Sequence, residues 1–190
     1  MKTTASPQPK FRTPVAGFSL TETLVVVAIL AIIAVIGIPS YRTTVLNNRL
    51  LAASTDLVTT LNLARSEAVK SGTRVTLCKS ANATACDNSV EWERGWIVFT
   101  DEGTVGQIDA GDTVLQVHSA LNNGLTLRSD PNYTNHLSYQ GSGRTVGSGG
   151  ASTGGWLRLC DSRGTANAYG ISVSATGLVS STLGGEPACP

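Results

Sequence analysis

Between residues 17 and 41 the chain is apolar on every side of a helix and broken by a single charge, Glu22. The uncharged stretch from Leu24 to Ile38, extended back to Phe18, supplies about 20 residues, enough to cross roughly 30 Å of hydrocarbon. One membrane passage over about 18–38 is therefore predicted. A bare anchor has no use for an acid. An ionised carboxylate in lipid costs about 2.5–3.5 kcal/mol even on the lenient insertion scale, so Glu22 implies a functional partner.

The pattern changes after Pro39, which loosens or kinks a helix by removing a donor. Leu50, Ala53, Leu57, Leu61, Ala64 and Ala68 follow at steps of three or four, placing them on one helical face. Arg49, Asp56, Asn62, Arg65 and Lys70 lie largely off that face, and Gly72 reads as the stop. The prediction is one helix over 18–72, oily all round in its first half and single-striped in its second. Strand-like segments follow at 74–78, 96–99, 113–118, 124–128, 136–139, 156–160, 171–174 and 177–180, divided by turn residues. Val75 with Leu77, Leu157 with Leu159 and Ile171 with Val173 alternate as half-buried antiparallel strands do. Residues 73–190 thus form one small β-rich domain closed by the helical stripe, and the class is α+β.

Ahead of the apolar run, residues 1–17 carry Lys2, Lys10 and Arg12 as their charges, with Pro7, Pro9 and Pro14 interrupting any helix. Positive charge stays in the cytoplasm, so the β-rich domain should face outward, into the periplasm. A secretory cleavage site after the apolar run is poor, at Gly37-Ile38-Pro39-Ser40. The alternative cut lies before it, where Gly17-Phe18-Ser19-Leu20-Thr21-Glu22 resembles the processing site of type IV pilins and type II secretion pseudopilins. That resemblance implies removal of 1–17 by prepilin peptidase, methylation of Phe18, and pairing of Glu22 with the terminal ammonium of a neighbouring subunit. Leu63-Ala64-Arg65-Ser66-Glu67-Ala68-Val69 with Val75-Thr76-Leu77-Cys78 resembles the helix end and first strand of the FimT, FimU and GspH group. Gly95-Trp96-Ile97-Val98-Phe99-Thr100-Asp101, running on to Asp109-Ala110-Gly111-Asp112-Thr113-Val114-Leu115, resembles that group's central hairpin. The implied fold is pilin-like. The implied role is a non-enzymatic minor subunit in the inner membrane that primes or caps a type IV pilus, working with other minor pilins and the major pilin. The pseudopilus of a type II secretion system is the alternative machine.

Composition fits that compartment. Cys78, Cys86, Cys160 and Cys189 form an even set beyond the membrane run, suiting two disulfides in an oxidising space. Three pairings are formally possible; short separation favours Cys78 with Cys86, leaving Cys160 with Cys189. No C-x-x-C or H-x-x-x-H spacing prepares a zinc site, and His118 and His136 stand far apart, so no metal or other cofactor is expected. Of 14 Lys and Arg, three fall within 1–17, leaving 11 against 13 acids and a formal net of −2 from Phe18 onward. Whole-domain charge therefore offers phosphate polymers no general attraction.

Several local patterns suggest chemistry. Asp101, Glu102, Asp109 and Asp112 carry the hard oxygens calcium prefers, without EF-hand spacing, and read as turn acids. Trp92 and Trp96 could stack on bases but fit a core better. Gly150-Ala151-Ser152-Thr153-Gly154 matches a nucleophile elbow without its strand-to-helix context, inside a Gly- and Ser-rich stretch, 141–155, read as a mobile loop. Some FimT-like pilins bind DNA through a basic G-R-x-R element, where this chain has Gly177-Leu178-Val179-Ser180 and lacks both arginines. Arg144, Arg158 and Arg163 are the candidate substitutes, giving DNA capture as the competing function.

Overall fold

The computed structural model describes residues 17–121, 124–184 and 189, so residues 1–16 of the expected leader lie outside it. The chain divides into two compact units, Met1–Arg42 and Thr43–Pro190. One helix, α1 (Leu20–Ser71), contributes to both.

In the first unit, Ser19 stands at the helix entrance, a position that favours short hydroxyl side chains. Its Oγ accepts from the Thr21 amide at 3.3 Å, and its carbonyl accepts from the Thr23 amide at 3.1 Å. The large apolar side chains from Leu24 to Ile38 are exposed throughout. Mean hydropathy reaches 2.7, and length and composition suffice to cross a membrane. Pro39 lies inside α1 without ending it.

Among the described residues of the second unit, nine strands form two antiparallel sheets. Sheet A combines β1 (Val75–Lys79), β2 (Trp96–Thr100), β3 (Val114–His118), β5 (His136–Tyr139) and β6 (Thr145–Gly147), in the order β3-β2-β1-β5-β6. Sheet B combines β4 (Thr126–Ser129), β7 (Gly155–Cys160), β8 (Tyr169–Val173) and β9 (Val179–Leu183), in the order β4-β7-β8-β9. The buried helical stripe is Leu50, Ser54, Leu57, Thr60, Leu61, Ala64 and Ala68, close to the stripe the sequence pattern indicates. It shares one core with Val75, Leu77 and Val98 of sheet A and with Leu127, Leu157, Leu159 and Ile171 of sheet B.

Three local differences from the sequence reading have physical causes. β1 is buried on both faces, because Cys78, Ile97 and Phe99 form a second cluster with Cys86 and Ile108 on the far side of sheet A. The stretch 141–155 is not wholly loop: Thr145–Gly147 pairs with β5, and the Thr145 hydroxyl donates to the Ser174 carbonyl at 2.9 Å. Gly147 is required there, since the Asn132 carbonyl occupies the space a Cβ would need. The last strand starts at Val179, not at Gly177, which sits in the preceding turn at φ 82°.

Arg65 ties α1 to two turns, donating from Nε to the Gly143 carbonyl at 3.3 Å and from Nη2 to the Thr176 carbonyl at 3.0 Å. Leu61, fully buried, touches the shared core and should be the costliest stripe position. Leu61→Ala is expected to destabilise the domain by about 2–5 kcal/mol, read as a lowered unfolding midpoint of the detergent-extracted chain.

Candidate functional site

The amino-terminal element is built by the helix start. Gly17 and Phe18 precede α1 and are exposed. Glu22 occupies the first turn, where the positive end of the helix dipole stabilises an acid by about 0.3–1 kcal/mol. Among the described residues no ion pair or side-chain hydrogen bond involves its carboxylate. The helix start thus presents an exposed acid with no partner among the described residues.

Both short-range cysteine pairs are bonded. Cys78–Cys86 closes a loop of sequence separation 8, and Cys160–Cys189 one of separation 29. The second bond joins the carboxyl tail to β7, helped by the Cys189 amide donating to Thr165 Oγ1 at 3.0 Å.

The three candidate arginines do not make a basic patch. Arg158 is 1% exposed and spends its guanidinium on the Gly184 carbonyl at 3.1 Å and the Thr165 carbonyl at 3.3 Å. Arg163 forks onto Asp161 Oδ2 at 2.9 and 2.7 Å and reaches Asn47 Oδ1 at 2.7 Å. Arg144 alone of the three is an exposed residue, with Nε on Ser152 Oγ at 3.2 Å. Alternation misleads here: Arg158 lies in a strand whose last four residues are all buried.

The acids of the 101–112 loop hold its backbone. Asp112 accepts from the Glu102 amide at 3.0 Å and the Asp109 amide at 2.8 Å; Asp109 accepts from the Thr104 amide at 2.6 Å. Asp101, 1% exposed, accepts from the Thr76 hydroxyl at 2.5 Å and the Gly106 amide at 2.9 Å, with Arg74 at 3.7 Å. Among the described residues no group of three or more His, Cys, Asp or Glu is arranged to hold a metal. Trp92 and Trp96 are both 1% exposed, which closes them to bases. Trp92 Nε1 donates to the Tyr133 carbonyl at 3.0 Å, while Trp96 stacks on His118 at 3.9 Å between centroids. Ser152 lies in the turn between β6 and β7, with no helix after it.

One histidine gains contacts that spacing could not reveal, and a second is buried. His118 joins β3 to α1 through Asp56 Oδ2 at 2.5 Å, and its other ring nitrogen meets the Ser119 carbonyl at 2.6 Å. Both ring nitrogens of His118 therefore have partners. His136 is held below its ordinary pKa, chiefly by burial and secondarily by Arg74, with Asp101 opposing. Burial also pushes Tyr133 up to about 12.

A long apolar amino-terminal helix whose second half is packed on antiparallel sheets defines a pilin-like protein, and the comparisons agree. The family model for type II transport protein GspH matches residues 53–177. The model for the prokaryotic N-terminal methylation motif matches residues 12–38. The chain belongs to the GspH family of minor pilins and pseudopilins. Among solved structures, it is similar in fold to the type IV minor pilin FimU of Pseudomonas aeruginosa, at 20% identity and TM-score 0.55, over 70% of this chain and 87% of that one. The minor pseudopilin EpsH from the type II secretion system of Vibrio cholerae is similar at 11% identity and TM-score 0.52, over 74% of this chain and 99% of that one. Against curated proteins the sequence finds no match.

Because burial favours neutral His136, the unfolded chain takes up its proton first as pH falls. Its stabilising contribution is complete above about pH 6.5 and is lost below that value, until the depressed folded pKa is reached. His136→Gln should flatten this acid limb in unfolding midpoints measured from pH 8 to pH 5.

Proposed function

We propose that this chain is a non-enzymatic building subunit that primes or caps a type IV pilus, cut after Gly17 and methylated on Phe18. The second unit then lies in the periplasm before assembly, with α1 anchored in the inner membrane over about 18–38. The observation that carries the reading is Glu22: one acid in the first turn of a helix whose first half is apolar all round, unpaired within the described chain. A neighbouring subunit's terminal ammonium removes the cost of burying that charge, since an ion in an apolar setting is tolerable when paired. The pseudopilus of a type II secretion system uses the same physics and stands as the alternative machine.

The side chains with candidate chemistry make other contacts. His118 has both nitrogens occupied, Ser152 Oγ accepts from Arg144 Nε, and the loop acids accept from backbone amides. DNA capture loses its footing as well, with Arg158 buried and Arg163 neutralised by Asp161. Arg144→Ala is expected to leave DNA retention unchanged at low salt.

Intact mass of the membrane-extracted protein, with and without prepilin peptidase, tests the central reading. The expected product begins at methylated Phe18 when the peptidase is present and at Met1 when it is absent. An uncut chain in both strains would sink the proposal. Glu22→Ala should still be cut but enter filaments about tenfold less or worse, a loss equivalent to about 1.4 kcal/mol or more; unchanged incorporation would remove Glu22 from assembly.

A further inference from the structure

We infer that the cavity beside Arg74 and His136, on the far side of sheet A, is a binding site for a single carboxylate carried on a short apolar stem. The site lies wholly within the second unit and stands whichever machine the subunit serves.

The register of sheet A gathers the polar side chains. With Val75 opposite both Thr100 and Tyr139, Arg74 falls in line with Asp101 and Gln140. Side chains alternate along a strand, so 74, 76, 101, 136, 138 and 140 share the face that Val75 and Leu77 leave to the shared core. The Thr76 hydroxyl marks that face, donating to Asp101 Oδ2 at 2.5 Å and meeting Ser138 Oγ at 2.7 Å. Against it lies a cavity of about 250 Å³ whose walls include Arg74, His136, Gln140, Val105 and Val146. Gly106 brings the 101–112 loop onto the His136 ring, leaving no room there for a Cβ.

The donors in this cavity are uncommitted. The Arg74 side chain is 33% exposed, and its contact with Asp101 Oδ1, at 3.7 Å, is too long for a hydrogen bond. Asp101 thus balances the Arg74 charge without using its N–H groups. The exposed Gln140 stands beside it, and His136 Nε2 is buried without a hydrogen-bond partner among the described residues. No acidic side chain is among the described residues lining the cavity. A guanidinium fork matches a carboxylate through two parallel bonds. Val105 and Val146 can cover a stem of a few carbons, and about 250 Å³ falls below the span of roughly 300–1,000 Å³ that drug-sized ligands occupy. Short-chain acids and glutamate side chains both carry such a group.

Binding then involves a proton. Arg74 and Asp101 cancel, so a bound carboxylate adds a negative charge that His136 can answer. Burial favours the neutral ring; Asp101 from the loop opposes burial, and Arg74 at the start of β1 adds to it. Cys78, opposite on β1, is tied to Cys86, and Ser148, whose hydroxyl donates to the His136 carbonyl, is uncharged. A second carboxylate shifts this balance toward imidazolium, so affinity rises as pH falls.

The full chain in detergent is titrated with butyrate, its neutral isostere butyramide, blocked glutamate and inorganic phosphate, with His136 ring signals read by NMR and His118 signals as the internal reference. Butyrate should saturate a site and bind at least about tenfold more tightly than butyramide. Its affinity should be about threefold or more higher at about pH 5.5 than at about pH 7.5, and the His136 titration midpoint should rise with butyrate. Binding of butyrate alone makes the source a free acid, whereas binding of blocked glutamate as well extends the site to acidic side chains; either supports it. Arg74→Gln should lose the preference for butyrate over butyramide. Arg74→Lys, which keeps a charge beside Asp101, should fold and bind butyrate more weakly than the wild type. On the wild-type chain, whose result depends on no variant folding, absent saturation, equal binding of butyramide or an unmoved His136 midpoint overturns the site. Retained preference in Arg74→Gln overturns the role of Arg74, and phosphate displacing butyrate at equal concentration overturns the ligand class.

Discussion

Both sheets close on the same side of one helix, and the rest of the globular unit depends on that shared burial. Sheet A brings Val75, Leu77 and Val98 to the stripe, and sheet B brings Leu157, Leu159 and Ile171. Among the described residues no second α-helix covers either sheet, so losing the α1 stripe would strip both of their main apolar partner. The polar contacts follow the same logic. Arg65 reaches two separate turns from α1, Asp56 takes His118 at the end of β3, and Ser54 meets Ser181 in β9. Each directs a packing arrangement whose driving force is the removal of apolar side chains from water.

What the sequence could show follows from which signals are local. The change in α1 from an all-round apolar surface to a single stripe is local, and Leu50, Leu57, Leu61, Ala64 and Ala68 occupy the buried face it indicates. Strand positions were legible where alternation is strong, as at Leu157 and Leu159. β6 was hidden because Thr145–Gly147 sits among glycines and serines and becomes a strand through pairing with β5. Likewise Val75 and Leu77 reveal one buried face of β1, while burial of the other depends on Cys86 and Ile108 from distant loops.

The candidate site divides along the same line. Glu22 is conspicuous because its neighbours in sequence are its surroundings in the helix. Arg158 and Arg163 looked available because a sequence displays charge without showing what satisfies it; Thr165, Gly184 and Asp161 consume those donors. The acids at 101, 109 and 112 resembled a cation cage for the corresponding reason. Carboxylates suited to metal are equally suited to backbone amides, and a tight loop supplies amides at close range. Asp56 carried no motif, and Arg65 stood within the Leu63–Val69 resemblance without a sign of its contacts, since each works through partners at least 62 positions away.

Glu22 and the open edge of β9 make unequal demands at opposite ends of the chain. A stable solitary protein would gain by replacing the acid with an apolar residue and by placing a lysine or proline on the open edge. This chain does neither, leaving a charge and a row of peptide groups without partners among the described residues. Peptide groups at an open edge stay solvated in a free domain, whereas the acid in lipid recovers from the helix dipole only about 0.3–1 kcal/mol of a cost of about 2.5–3.5 kcal/mol. Once apolar neighbours exclude water the cost rises, and a partner that meets the charge gains specificity over one offering apolar contact alone. For a chain held in a bilayer by such a helix, a neighbour that supplies the missing positive charge removes a cost that apolar contact alone leaves in place.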